Sequence, residues 1–122
     1  MAKLHFMYAT MDSGKSAHLL QNAFNYEQRG LAPLVLTSGI DTREGVGIIS
    51  SRIGLKREAI AVSESDSILT IYDKQSIKPN IVLIDEAQFL NHDQILELTQ
   101  IVDTRNCSVL AYGLRTDFRG EP

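Results

Sequence analysis

Short apolar runs alternate with segments of helical spacing along the chain. Leu4 to Tyr8 is mostly apolar and leads into a turn-rich stretch, which predicts a buried strand. From Lys15 to Arg29 the apolar residues Leu19, Leu20, Ala23 and Phe24 recur at helical spacing, and Gly30 is a natural helix stop. Leu34 to Thr37 reads as a second strand. Ser38 to Gly54 is punctuated by glycines and charges and reads mostly as loop, with a short strand near Ile48 to Ser51. Ala59 to Val62 reads as a third strand. Ser63 with Asp66 three residues on predicts a helix start, with Ile68, Leu69 and Tyr72 on its apolar face.

Ile81-Val82-Leu83-Ile84 is the clearest strand. An unbroken apolar run of this kind is buried on both faces, as in a parallel sheet. Asn91 predicts the cap of a helix running to about Asp103, with Ile95, Leu98, Ile101 and Val102 inward. Ser108 to Tyr112 closes the pattern as a last strand. Strand and helix units in this order predict one α/β domain over residues 1–122, a mostly parallel sheet flanked by helices. Ligands of such sheets bind beyond the carboxyl ends of the strands.

Composition adds limits. At 43% hydrophobic and 22% charged, the 122 residues are globular in character, and a formal net charge of -3 gives no overall pull toward nucleic acid or anionic membrane. One cysteine, Cys107, cannot form an internal disulfide or a multi-cysteine zinc site, and the three histidines are scattered. No apolar stretch approaches the roughly 20 residues of a membrane span, and His5 and Asp12 interrupt any leader-like run. The expected location is the cytoplasm.

Two motifs carry chemistry. Ala9-Thr10-Met11-Asp12-Ser13-Gly14-Lys15-Ser16 fits the phosphate-loop pattern G-x-x-x-x-G-K-[ST], with Ala9 in place of the first glycine. It follows a predicted strand and opens a predicted helix, so backbone N–H groups and the helix dipole face an anion. Lys15 supplies a charge for the terminal phosphates, and the Ser16 hydroxyl is a Mg²⁺ ligand. Asp85 and Glu86 end the strongest strand. An acid there serves Mg²⁺, which leaves Glu86 to accept a proton. These elements give an ATP or GTP site in a phosphate-loop NTPase (RecA-like) fold. They do not separate a kinase from an ATPase, and Asp85 to Gln88 also looks like a helicase acidic box.

Further segments narrow this. The Tyr8 to Ser16 loop and Asp85-Glu86-Ala87-Gln88-Phe89 resemble the cytosolic (type II) thymidine kinases. So do Gly39-Ile40-Asp41-Thr42-Arg43, Ser50 to Gly54, and Tyr112 to Glu121, the last being closest to the bacterial branch. The resemblance implies transfer of the ATP γ-phosphoryl to the thymidine 5′-hydroxyl. Glu86 matches the family's catalytic base. Residues 9 to 16, Arg43 and the Asp85 to Gln88 stretch match its ATP site. Ser16, Asp85 and Asp41 match the Mg²⁺ site, and Met11, Phe89, Leu114 and Phe118 match the thymine pocket. It also implies homotetramers. Family members continue past Gly-Glu-Pro into a zinc-stapled domain with a lasso that closes over thymidine, whereas this sequence stops at Pro122. The expectations are therefore no zinc within these residues and ATP binding that exceeds thymidine turnover. The rival readings are a non-catalytic ATP-binding module and a helicase-like ATPase.

Overall fold

The computed structural model describes residues 2–9, 14–38, 46–51 and 54–114, and for Ala9, Val46 and Leu114 it describes the backbone alone. Six strands form one sheet: β1 (Leu4–Ala9), β2 (Pro33–Ser38), β3 (Val46–Ser50), β4 (Lys56–Val62), β5 (Ile81–Asp85) and β6 (Ser108–Leu114). Their order across the sheet is β1-β6-β5-β2-β4-β3. The β1·β6, β6·β5, β5·β2 and β2·β4 pairs are parallel, and only β3 runs antiparallel, against β4. The helices are α1 (Lys15–Gln28), α2 (Ile68–Asp73) and α3 (His92–Arg105).

The apolar runs split by alternation. Successive side chains of a strand point to opposite faces. Leu34 and Leu36 of β2, Val82 and Ile84 of β5, and Val109 and Ala111 of β6 pack with Ile68 and Tyr72 of α2 and Leu98 and Ile101 of α3. Val35, Ile81, Leu83 and Tyr112 pack with Leu19, Leu20 and Ala23 of α1 on the other face. The sheet is thus a middle layer with a helix layer on each side. The continuous Ile81 to Ile84 run needed apolar residues at every position because both faces are covered, and every residue of β5 is buried.

Helix ends follow local chemistry. Past Arg29, Gly30 takes φ 77°, its N–H bonds the Glu27 carbonyl, and the Leu31 N–H bonds the Tyr26 carbonyl. That is the two-bond closure a left-handed glycine permits. Asn91 caps α3 through a reciprocal pair with Gln94. The expected helix start at Ser63 is corrected. Ser63 and Asp66 close a turn instead, with the Ser63 N–H donating to Asp66 at 2.9 Å. The helix begins at Ile68 behind Ser67, because Glu97 of α3 accepts both the Ile68 N–H (2.8 Å) and the Ser67 hydroxyl (2.6 Å). Tertiary contact set the boundary. The short strand expected near Ile48 to Ser51, within the stretch read mostly as loop, appears as β3 over residues 46–50, an edge strand paired with β4. Among the described residues no helix is long and apolar enough to cross a membrane.

Candidate active site

The carboxyl ends of β1, β5 and β2 and the first turn of α1 meet at one edge of the sheet. Gly14 sits just before α1 at φ 86° and ψ 17°, a left-handed conformation that costs glycine little. Asn91 and Ser67 cap α3 and α2 with side chains, whereas among the described residues α1 has no side-chain cap, and its first turn has no acid. The start of a helix is a place where backbone N–H groups can meet an anion.

Lys15 points from that turn to the end of β5. Its Nζ lies 2.8 Å from Asp85 Oδ1 and 3.3 Å from Glu86 Oε2. Burial works against the Lys15 ammonium. The hydrogen bond to Asp85 and the charges of Asp85 and Glu86 outweigh it, so Lys15 stands above the ordinary lysine value. Ser16 Oγ donates to Asp85 Oδ2 at 3.4 Å. Ser16 and Asp85 therefore present hard oxygen donors side by side, a set that suits Mg²⁺. Asp85 is buried, held by Lys15 and by the Glu86 N–H at 3.0 Å.

Glu86 adopts φ 58° and ψ 43°, uncommon for a residue with a side chain. The conformation turns the chain from β5 into a short 3-10 turn, Ala87–Phe89, and leaves the Glu86 carboxylate half-buried at the cleft. Ser38, buried at the end of β2, donates its hydroxyl to the Glu86 carbonyl. Gln88 Nε2 donates to Glu86 Oε1 at 2.7 Å. A cleft of about 360 Å³ opens here, lined by Ser16, Thr37, Ser38, Asp85, Glu86 and Phe89, with Ile48 to Ser50 of β3 on its far wall. Phe89 is 59% exposed and Ile48 56% exposed at its lip.

The structure thus brings together Lys15, Ser16, Asp85, Glu86, Gln88 and Phe89 from the sequence reading. Ala87 lies beneath them with its side chain in the core. Ala9 lies in the extended β1, paired with Leu114, so no glycine is required there. Thr10, Met11, Asp12, Ser13, Asp41, Arg43 and Phe118 lie outside the described residues. Three residues given no individual role by the sequence also take part. Ser38, expected at the start of a loop, instead ends β2. Gly113 lies in β6 beside Tyr8 and Gln88. Tyr112 binds α1 to the sheet, its hydroxyl 2.7 Å from Asn22 Nδ2 and 2.9 Å from His18 Nδ1.

Comparison with known proteins places this geometry. The family model described as Thymidine kinase matches residues 2–122. The chain is 53% identical to the thymidine kinase of Zymomonas mobilis over 123 residues, covering 99% of this chain and 64% of that protein. It is 49% identical to the Lactococcus lactis thymidine kinase, with 99% of this chain and 64% of that protein covered. It is 52% identical to that of Legionella pneumophila strain Paris, with 99% and 59% covered. The chain spans about three fifths of the length of these curated relatives. A phosphate-loop lysine paired with the acids that end β5, on a sheet matched over nearly its whole sequence, gives the assignment: the chain belongs to the thymidine kinase family.

Proposed function

We propose that this chain carries the ATP site and catalytic base of a thymidine kinase. The observation that carries the reading is Lys15 held between Asp85 and Glu86 at the start of α1. The triphosphate binds along the backbone of residues 9 to 16, with Lys15 and Arg43 at its charged end. Ser16, Asp85 and Asp41 hold Mg²⁺, which when bound supplies positive charge against the phosphate oxygens. Glu86 takes the proton of the thymidine 5′-hydroxyl. That oxygen forms its bond to the γ-phosphorus as the bond to the β-phosphate oxygen breaks and ADP departs. Met11, Phe89, Leu114 and Phe118 wall the thymine ring, since apolar faces suit a planar base. The kinase reading is favoured over the helicase-type one by the family match, which runs through the segment after β6. Assembly into homotetramers and a cytoplasmic location belong to the same proposal. Sedimentation checks the first.

Calorimetry with ATP–Mg²⁺, followed by thymidine, tests both halves of the site. Heat from ATP–Mg²⁺ is expected, and a chain that binds neither ligand overturns the proposal. Glu86→Gln is expected to leave ATP affinity nearly intact and to cut transfer by about 10²–10⁴-fold, the usual contribution of a general base. Lys15→Ala is expected to weaken ATP binding itself. A Glu86→Gln variant that loses ATP binding instead assigns Glu86 to the nucleotide.

A further inference from the structure

Glu86 needs its carboxylate aimed, and its own backbone does not do this. Its left-handed conformation is anchored by the Ser38 hydroxyl on the Glu86 carbonyl, which fixes the main chain. The side chain beyond it is one-third exposed and would otherwise rotate. Lys15 reaches one oxygen, Oε2, at 3.3 Å. The other oxygen, Oε1, receives Gln88 Nε2 at 2.7 Å, the shorter of the two contacts. Gln88 is itself seated. It lies in the 3-10 turn Ala87–Phe89, against β6, where Gly113 leaves space. A Cβ on Gly113 would stand 2.9 Å from Gln88 Oε1 and 3.2 Å from the Gln88 backbone nitrogen. Gly113 has an ordinary negative-φ backbone, so its lack of a side chain serves this close approach and not a turn.

We infer that Gln88 is a positioning residue for Glu86, holding Oε1 so that Oε2 faces Lys15 and the cleft, and that Gly113 is bare so that Gln88 fits there. The inference rests on the kinase reading above and deepens it. Gln88 takes no proton in this role; it acts through its hydrogen bond to Glu86. Its hydrogen bond sets the direction from which the carboxylate approaches the hydroxyl, and misplacement by about an ångström in such a site costs on the order of 10²-fold in rate. The same contact explains why the stretch after the acids is polar at Gln88 while its neighbour Ala87 is buried in the core.

Two variants separate positioning from folding. Gln88→Met keeps the length of the side chain and removes the donor. Gly113→Ala leaves Gln88 in place chemically but pushes it off its seat. Each is expected to lower kcat about ten- to a hundredfold while KM for ATP and for thymidine stays within about twofold, and the thermal midpoint of Gln88→Met stays at the wild-type value. The double variant is expected to lose no more than the worse single one, because both break the same contact. In parallel, the side-chain amide resonances of Gln88 are followed by NMR in wild type and in Glu86→Ala. They are expected to shift when the carboxylate is removed. Gln88→Met with wild-type kcat overturns the inference and leaves the kinase reading standing. Additive losses in the double variant overturn it as well. If the wild-type chain transfers no phosphate to thymidine, the kinase reading fails separately. The NMR arm then decides the contact alone, and unmoved Gln88 resonances overturn it.

Discussion

At single residues the described structure divides polar groups that are partnered from one that is not. Gln94 is buried, yet its amide donates to the Ser63 and Asp66 carbonyls and its oxygen accepts the Asn91 N–H. Tyr72 is also buried, but its hydroxyl has no hydrogen-bond partner of ordinary geometry and lies against the weakly polar Cys107 thiol. Burial pushes the Tyr72 hydroxyl up from 10.0 to about 12, and burial likewise raises Cys107 and Tyr112. The sign of the consequence follows from linkage. A phenol whose folded pKa is raised contributes stability below its unfolded value, near 10, and that contribution drains away as pH climbs from there to about 12. Tyr72→Phe removes an unsatisfied buried hydroxyl, which costs about 1–3 kcal/mol where it stands. The variant is expected to be as stable as wild type or more so at neutral pH, and to lose less stability between pH 9.5 and 11.5 in thermal melts. A Tyr72→Phe chain with a lower midpoint at pH 7 would show that the hydroxyl is bonded after all. Residue chemistry was legible in the sequence where type and context coincide, as at Lys15, Asp85 and Glu86. It was illegible at Ser38 and Gly113, whose roles come from neighbours 25 or more residues away.

For the elements, sequence signals held where the cause is local. The Asn91 cap, the Gly30 stop and the Ile81–Ile84 run each act through the chain's own backbone within a few residues, and each appears where expected. They failed where a partner decides. Glu97 moved the start of α2 from Ser63 to Ile68, whereas the short strand expected near Ile48 to Ser51 did form, as β3 over 46–50. The 3-10 turn after Glu86 gave no signal because a left-handed glutamate is not a residue preference. Asn91 tests this scale. Its side chain caps α3 and also donates to the Glu64 carbonyl at 2.8 Å, tying α3 to the turn before α2. Asn91→Ala is expected to cost about 0.5–2 kcal/mol in urea unfolding, the range for a lost N-cap, while Asn91→Asp retains most of it. Equal stability of Asn91→Ala and wild type would mean the cap is made by solvent.

Across the whole molecule, the site depends on a sheet that two helix layers share. The strand with the phosphate loop, β1, is separated from the acidic strand β5 by β6, so Lys15 must span from the end of one to the end of the other. That span is fixed only while both helix layers hold the sheet. Leu83 points to the α1 face and Ile84 to the α2 and α3 face, adjacent in sequence and opposite in space. Both are fully buried. Truncating either to alanine leaves a cavity and is expected to cost about 2–5 kcal/mol. If the faces formed separate folding units, Leu83→Ala would loosen α1 alone and Ile84→Ala would loosen α2 and α3 alone. A shared middle layer predicts otherwise. Each variant should lower the midpoint of one cooperative transition, with fluorescence and circular dichroism coinciding and the urea dependence unchanged. With the proposed ATP site, ATP–Mg²⁺ at about 100 times its Kd should then restore about 2.7 kcal/mol to both variants equally, as expected of a ligand bound to one cooperative unit. Restoration in Leu83→Ala but not in Ile84→Ala would instead assign the nucleotide site to the α1 layer by itself, and the two faces would have to be treated as separable.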